Sequence, residues 1–314
     1  MEGLSSMEGL SATKKAGTIN TQQQSIMAAK NEELSVGTYN CRGFTASMHD
    51  IEQLCAMYHI ILLQETWLVK QTLDKMTDIS DNHFACGTAE VDYTKGITSG
   101  RPYGGTAILW NKKLNANTFM NQDQSIIGLE VCLDSNSLNI LNVYMPYCYD
   151  SNYDEYINYL SKISILCDEI ASPNVFIVGD FNACPNNNFG ELLSQFYLEH
   201  ELKISDKIIL PVDSFTYVSD THGTCSWMDH VVSSKPAHDS IQNIAILHQF
   251  ILSDHRLVAA TIKTAALPQN ILCENKTHHE KNMNWNNATQ QQKPKYLQAS
   301  KIWLSKIPLF EELT

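Results

Sequence analysis

Arginine is scarce in this chain: only Arg42, Arg101 and Arg256 occur in 314 residues, and the formal net charge is −12. That balance argues against a protein that holds nucleic acid by bulk electrostatics, or one with a broad phosphate-gripping surface. Long apolar runs are missing too. None approaches the ~20 residues needed to cross a bilayer, and the N-terminus has no apolar core of a secretory signal. The nine cysteines are odd in number and scattered, without a CxxC pair. Such usage argues against a disulfide framework and fits reduced thiols in the nucleus or cytoplasm. His222 and Cys225 make only half of a metal motif. Ser253-Asp254-His255 is not a serine-hydrolase triad, because no GxSxG elbow exists and three consecutive residues cannot form that geometry.

What the chain does have is a series of apolar, β-branched runs that each end in a polar residue. Val175-Phe-Ile-Val-Gly-Asp-Phe-Asn182 is the clearest. It reads as a buried strand running into a polar rim, and residues two apart on a strand face the same side. Asp180 and Asn182 can therefore share one cleft, a carboxylate to take a proton from water and a carboxamide to orient it. Other strands are predicted at Leu34–Tyr39, His59–Leu63, His83–Cys86, Tyr103–Trp110 and Leu257–Ile262. Hairpins are predicted from Ile126–Leu133 with Leu138–Tyr144, and from Phe215–Val218 with Trp227–Val232. A longer strand is predicted over Ile244–Leu252. Helical stripes cover Ala46–Tyr58 and the stretch from Ser151, where a capping-box-like SxxD stands, to Pro173; a short helix fits Gly190–Leu198. Strands and helices alternate early and hairpins dominate late, the pattern of an α/β sandwich with two mixed sheets and helices outside.

Residues 1–33 read as a disordered leader with a short MEGLS repeat, residues 34–264 as one domain, and residues 265–314 as a polar linker with a short helix. The polar residues at or just beyond strand ends are Asn40, Glu65, Tyr144, Asp180, Asn182, Asp229 and His255. A sandwich can gather them on one rim, where they would suit metal-assisted phosphoester hydrolysis.

In order, Asn40, Gln64-Glu65-Thr66, Asn142-Val-Tyr144, Gly179-Asp180-Phe181-Asn182, Ser226-Trp-Met-Asp229-His230 and Ser253-Asp254-His255 resemble the motifs of the endonuclease/exonuclease/phosphatase superfamily. Within it, the short loops and the hairpin running into SxxD look most like the endonuclease domains of non-LTR (LINE-type) retrotransposons. The resemblance implies a DNase I-like four-layer α/β sandwich, with two mixed sheets face to face. It implies a DNA-nicking, Mg²⁺-dependent phosphodiester hydrolase, with Mn²⁺ as the other ion to consider. Glu65 would ligate the ion with help from Asp254. Asp180 would activate water, with Asn182 and Asn40 orienting it. Tyr144 would bond the phosphate, and His255, oriented by Asp229, would contact the scissile group.

The hairpin carrying Thr216, Tyr217 and Ser226 is the element expected to meet DNA. The tail, with Trp285, Tyr296 and Leu304, is similar to the connector that precedes a reverse transcriptase. The expected partners are DNA, bound weakly and salt-sensitively by this chain alone, and a reverse-transcriptase domain missing from it; no membrane is expected. One departure stands out. Arg42 occupies the place where repair-type apurinic endonucleases carry an Asp two residues after the strand-end Asn, which weakens an abasic-repair reading more than a nuclease one. Two alternatives remain beside the nuclease: a phosphatase or phospholipase of the same superfamily, and a catalytically silent domesticated module. His230, beside Asp229, reads as structural.

Overall fold

A computed structural model describes residues 32–264, apart from 96–101, 122–124, 134–135, 184–187, 220, 222 and 251. Residues 1–31 of the expected leader and the expected linker and helix over 265–314 lie outside the described residues. In chain order the elements are β1 (Glu32–Asn40), α1 (Met48–Met57), β2 (Ile60–Gln64), β3 (His83–Gly87), β4 (Thr106–Asn111), β5 (Ala116–Met120), β6 (Ile127–Cys132) and β7 (Ser137–Tyr144). Then come α2 (Tyr153–Glu169), β8 (Val175–Asp180), α3 (Asn188–Glu199), β9 (Lys203–Ile204), α4 (Ser205–Ile209), β10 (Tyr217–Val218) and β11 (Cys225–Ser226). The last four are β12 (Asp229–Ser233), α5 (Lys235–Asp239), β13 (Ile241–Leu247) and β14 (Leu257–Thr264).

Two six-stranded mixed sheets result, ordered β13-β14-β1-β2-β4-β3 and β5-β6-β7-β8-β12-β9. Each holds one parallel pair near its centre, β1 with β2 through α1 and β7 with β8 through α2. The remaining pairings are antiparallel. Sequence alternation explains the layers. In β2, Ile60 and Leu62 join Val36, Ile108, Phe176 and Val178 between the sheets, whereas Ile61 and Leu63 turn outward onto Ile51 and Leu54 of α1. All five residues of β2 are buried because both of its faces are covered. On the other side, Leu141, Val143 and Ile177 pack beneath Tyr156 and Ile163 of α2 and Phe189 of α3. The chain thus forms the expected four-layer α/β sandwich.

A polar weld crosses the central core. Asn142 Nδ2 donates to the carbonyls of Leu63 (3.0 Å) and Ala107 (2.8 Å), and Gln64 Nε2 donates to Asn142 Oδ1 at 2.7 Å and to Thr38 Oγ1 at 3.0 Å. Asn142 belongs to the second sheet and its partners to the first, so this network fixes how the strand ends of the two sheets face one another.

Several local expectations shift. The polar stretch Lys70–Asp78 is a 3-10 helix that buries only Met76, and β5 lacks the clean alternation that announces a strand. The hairpin predicted from 215–218 with 227–232 is not formed: Tyr217–Val218 (β10) pairs with Cys225–Ser226 (β11) in a small ribbon, and Asp229–Ser233 (β12) pairs with β8. The strand predicted over 244–252 starts earlier and stops at Leu247. At the start of α2, Ser151 Oγ donates to Asn152 Oδ1 and no side-chain cap forms, so the capping box is not made. Among the described residues no helix is long and apolar enough to cross a membrane.

Candidate active site

Four strand ends meet where the two parallel pairs finish. Asn40 ends β1 beside Gln64 of β2, and Tyr144 ends β7 beside Asp180 of β8. Asp229 opens β12 directly opposite Asp180. Backbone conformation helps to turn the side chains inward: Glu65 (φ +52) and Asn182 (φ +46) sit in the left-handed region, which non-glycine residues enter at a cost. Gly104 and Gly105, both at positive φ, accept the backbone N–H groups of Trp67 and Thr66, so the glycine pair is the bed on which the Glu65 segment lies. At Gly179 (φ +141) a Cβ would stand 2.1 Å from the carbonyl oxygen of Val143, and only glycine lets β8 approach β7 this closely.

Asn40 is the hub. Its Nδ2 donates to Glu65 Oε1 at 3.0 Å and to Asp180 Oδ2 at 2.9 Å. Asp180 is fully buried and accepts the backbone N–H of Asn182 on Oδ1 at 2.9 Å. His255 Nδ1 lies 2.8 Å from Asp229 Oδ2, and its Nε2 lies 3.8 Å from Asp180 Oδ2. Burial lifts the Asp180 carboxyl to about 7, with His255 pulling it down and Asp229 pushing it further up. For His255, burial works to lower the imidazole, but the Asp229 and Asp180 carboxylates outweigh it and raise the group to about 10. The arrangement is an imidazolium held between two carboxylates, one of which is poised near neutrality as a proton acceptor.

Glu65 receives three donors on a single oxygen: Asn40 at 3.0 Å, Tyr144 OH at 3.1 Å and Tyr147 OH at 3.1 Å, all to Oε1. Burial, reinforced by Glu65, holds both phenols far above their ordinary range, so they remain donors. Tyr147 was not singled out by the sequence. It stands in the loop after Met145-Pro146, where no strand pattern marks it, and its ring is 48% exposed beside Tyr149.

The donor set fits a hard divalent cation. Among the described residues nothing donates to Glu65 Oε2, and Asp229 Oδ1 is buried without a hydrogen-bond partner. Ligand atoms of Asp180, Asp229 and His255 also lie within 4.8 Å of one another, a set that could hold a metal only with His255 deprotonated, because an imidazolium has no lone pair to give.

Other expected site residues take different side-chain partners. Asn182 Nδ2 donates to the Met145 carbonyl at 2.8 Å, which ties β8 to the loop bearing Tyr147. Asp254 pairs with Arg42, Nη1 to Oδ2 at 3.1 Å. Thr216 requires a correction: it is fully buried, and its Oγ1 accepts the N–H groups of Met228 and Asp229, both at 3.0 Å, so it anchors β12 and has no surface to offer DNA. Tyr217 packs its ring 5.0 Å from that of His255, and Ser226 pairs with Tyr217 in the β10–β11 ribbon. His230 is buried against Asp206 (2.8 Å), on the opposite face of β12 from Asp229, as a structural pair.

A model of the endonuclease/exonuclease/phosphatase family matches residues 37–255. No curated protein matches the sequence. Among solved structures the chain is similar to the apurinic endonuclease LMAP from Leishmania major, at 12% identity and a TM-score of 0.61, covering 78% of this chain and 91% of that one. It is similar to the 3′ phosphatase NExo from Neisseria bound to product DNA hairpin, at 14% identity and a TM-score of 0.56, covering 73% and 99%. It is likewise similar to the endonuclease domain of TRAS1, a telomere-specific non-LTR retrotransposon, at 17% identity and a TM-score of 0.56, covering 75% and 100%.

Proposed function

The chain belongs to the endonuclease/exonuclease/phosphatase family, and on that premise we propose that it is a divalent-metal-dependent DNA-nicking phosphodiesterase of non-LTR retrotransposon origin. The observation that carries the proposal is the Asp229–His255–Asp180 array, with Asn40 joining it to Glu65. Asp180, with its carboxyl near 7, takes the proton from the attacking water. Asn40 holds that carboxylate in place and keeps Glu65 beside it. Imidazolium His255, fixed through Nδ1 by Asp229, presents Nε2 toward Asp180 and lies where it can bond a non-bridging phosphate oxygen. Tyr144, whose hydroxyl donates to Glu65 Oε1 in the structure, would turn that single donor to the phosphate when substrate binds.

Glu65 would hold a divalent ion, Mg²⁺ or Mn²⁺, which when bound supplies charge to a phosphate oxygen and to the leaving oxygen. The chain carries a formal net charge of −12. DNA affinity should therefore be low and fall steeply with salt, unless a reverse-transcriptase domain or another basic partner adds contacts. We assign the catalytic unit to residues 34–264 and take 265–314 as the connector.

The solved relatives include a 3′ phosphatase on DNA, so a phosphomonoesterase is the second reading. The test is to give the full chain supercoiled plasmid, a 3′-phosphorylated oligonucleotide and bis(p-nitrophenyl) phosphate, each with Mg²⁺ and with chelator. Nicking of the plasmid supports the proposal; release of inorganic phosphate alone moves the assignment to the phosphatase.

A further inference from the structure

We propose that the Arg42 guanidinium stands in for a second cation at this site, so that the protein takes one divalent ion, at Glu65, and Asp254 serves Arg42 instead of a metal. The inference rests on the hydrolytic reading above.

The position of Arg42 is set by the backbone around it. Cys41 N–H donates to the Gln64 carbonyl at 3.0 Å, Gly43 N–H to Glu65 at 2.7 Å and Phe44 N–H to Thr66 at 2.8 Å. These bonds run the Arg42 turn alongside the Glu65 segment. Arg42 itself is in the left-handed region (φ +48), and its N–H reaches Asn40 Oδ1 at 3.2 Å. The same carboxamide that bridges Glu65 and Asp180 is therefore oriented from its oxygen side by Arg42. On the facing segment, Ser253 Oγ donates to the Asn40 carbonyl at 2.7 Å, and Val218 N–H donates to the Asp254 carbonyl at 2.9 Å. Guanidinium and carboxylate meet between these two tethered segments, with side chains 41% and 16% exposed.

Charge decides what such a pair does. Glu65, Asp180, Asp229 and Asp254 are four carboxylates, against two cationic groups in Arg42 and His255, a net charge of −2 when all are ionised. One divalent ion neutralises that set and leaves the incoming phosphodiester to be met by Arg42 and His255. With an acidic residue at position 42 the set would stand at −4 and would call for two divalent ions. Arg42 supplies a guanidinium, a group of donors only and no acceptor. A partly exposed pair adds little to stability, so the effect of Arg42 is to be read in the number of ions bound.

The test counts bound Mn²⁺ by electron paramagnetic resonance on the full chain, with thermal melting to show that each variant is folded. The wild type should bind one ion tightly, and Glu65→Gln should weaken that binding at least tenfold. Arg42→Asp should bind two. Arg42→Ala, which frees Asp254 without adding a carboxylate, should show a second and weaker ion, whereas Arg42→Lys should still bind one. Two ions in the wild type, or one in both Arg42→Asp and Arg42→Ala, would overturn the inference, as would unchanged binding in Glu65→Gln. Hydrolysis assays on the same samples judge the functional reading separately: one bound ion without cleavage of any phosphoester sinks the reading and leaves the metal count standing.

Discussion

Asp229 stands directly opposite Asp180 in the antiparallel pairing of β12 with β8, and both carboxylates are buried. Two like charges so placed would repel strongly in a dry site. His255 resolves the conflict by lying between them, 2.8 Å from one and 3.8 Å from the other. The protonation of Asp180 and His255 should therefore govern activity.

A bell-shaped pH profile is expected. The base must be ionised, so kcat/KM should rise with pH through the Asp180 value of about 7. The imidazolium must keep its proton, so activity should fall as pH passes the His255 value of about 10. Reading the two limbs with metal held in excess checks this; a profile that is flat from pH 6 to pH 11 contradicts it.

Asp229→Asn should lower kcat by roughly 10²- to 10⁴-fold, the range for a lost acid–base or orienting group. It should also move the alkaline limb to lower pH, because the carboxylate that raises His255 is gone. A variant with reduced kcat and an unmoved limb would show that Asp229 acts on fold and not on the imidazole.

Tyr147→Phe removes one of three donors on Glu65 Oε1 and leaves the ring in place. A hydrogen bond to a charged group is worth about 1.5–3 kcal/mol, so catalytic efficiency should fall by roughly 10- to 100-fold while the melting temperature stays near the wild-type value. Steady-state kinetics across a metal titration would show whether the loss lies in metal affinity or in turnover.

Asn142→Leu should cost stability instead. It removes one of the donors to the carbonyls of Leu63 and Ala107, which keep their ladder partners, and takes an acceptor from Gln64. At about 0.5–1.5 kcal/mol for each of the hydrogen bonds lost, the loss should be about 2–4 kcal/mol in urea unfolding. A loss below about 1 kcal/mol would mean that the two sheets are not held together there.

Much of the site was legible because strands announce themselves. Val175–Val178 is a purely apolar run, so Asp180 emerges just past its end, and the same logic located Asn40, Glu65 and Tyr144, whereas Asp229 opens its strand. What was not legible came from loops and from long-range pairing. Tyr147 reaches Glu65 only because the chain after Pro146 folds back, a path no periodicity encodes. Thr216 is expected on a hairpin that meets DNA, yet a sequence does not show that its hydroxyl is spent inside on the N–H groups of Met228 and Asp229. Asp254 looked like a free ligand because its partner, Arg42, is remote in sequence. In the fold, the 3-10 helix at Lys70–Asp78 escaped because its composition is polar and it buries one side chain.

The measurement that bears most directly on the account is nicking of supercoiled plasmid by the full chain, with Mg²⁺ and with chelator, beside His255→Ala. The account predicts conversion to open circles that needs the metal and falls at least 100-fold in the variant. Intact plasmid with folded wild-type protein and Mg²⁺, or nicking that His255→Ala leaves undiminished, would contradict it.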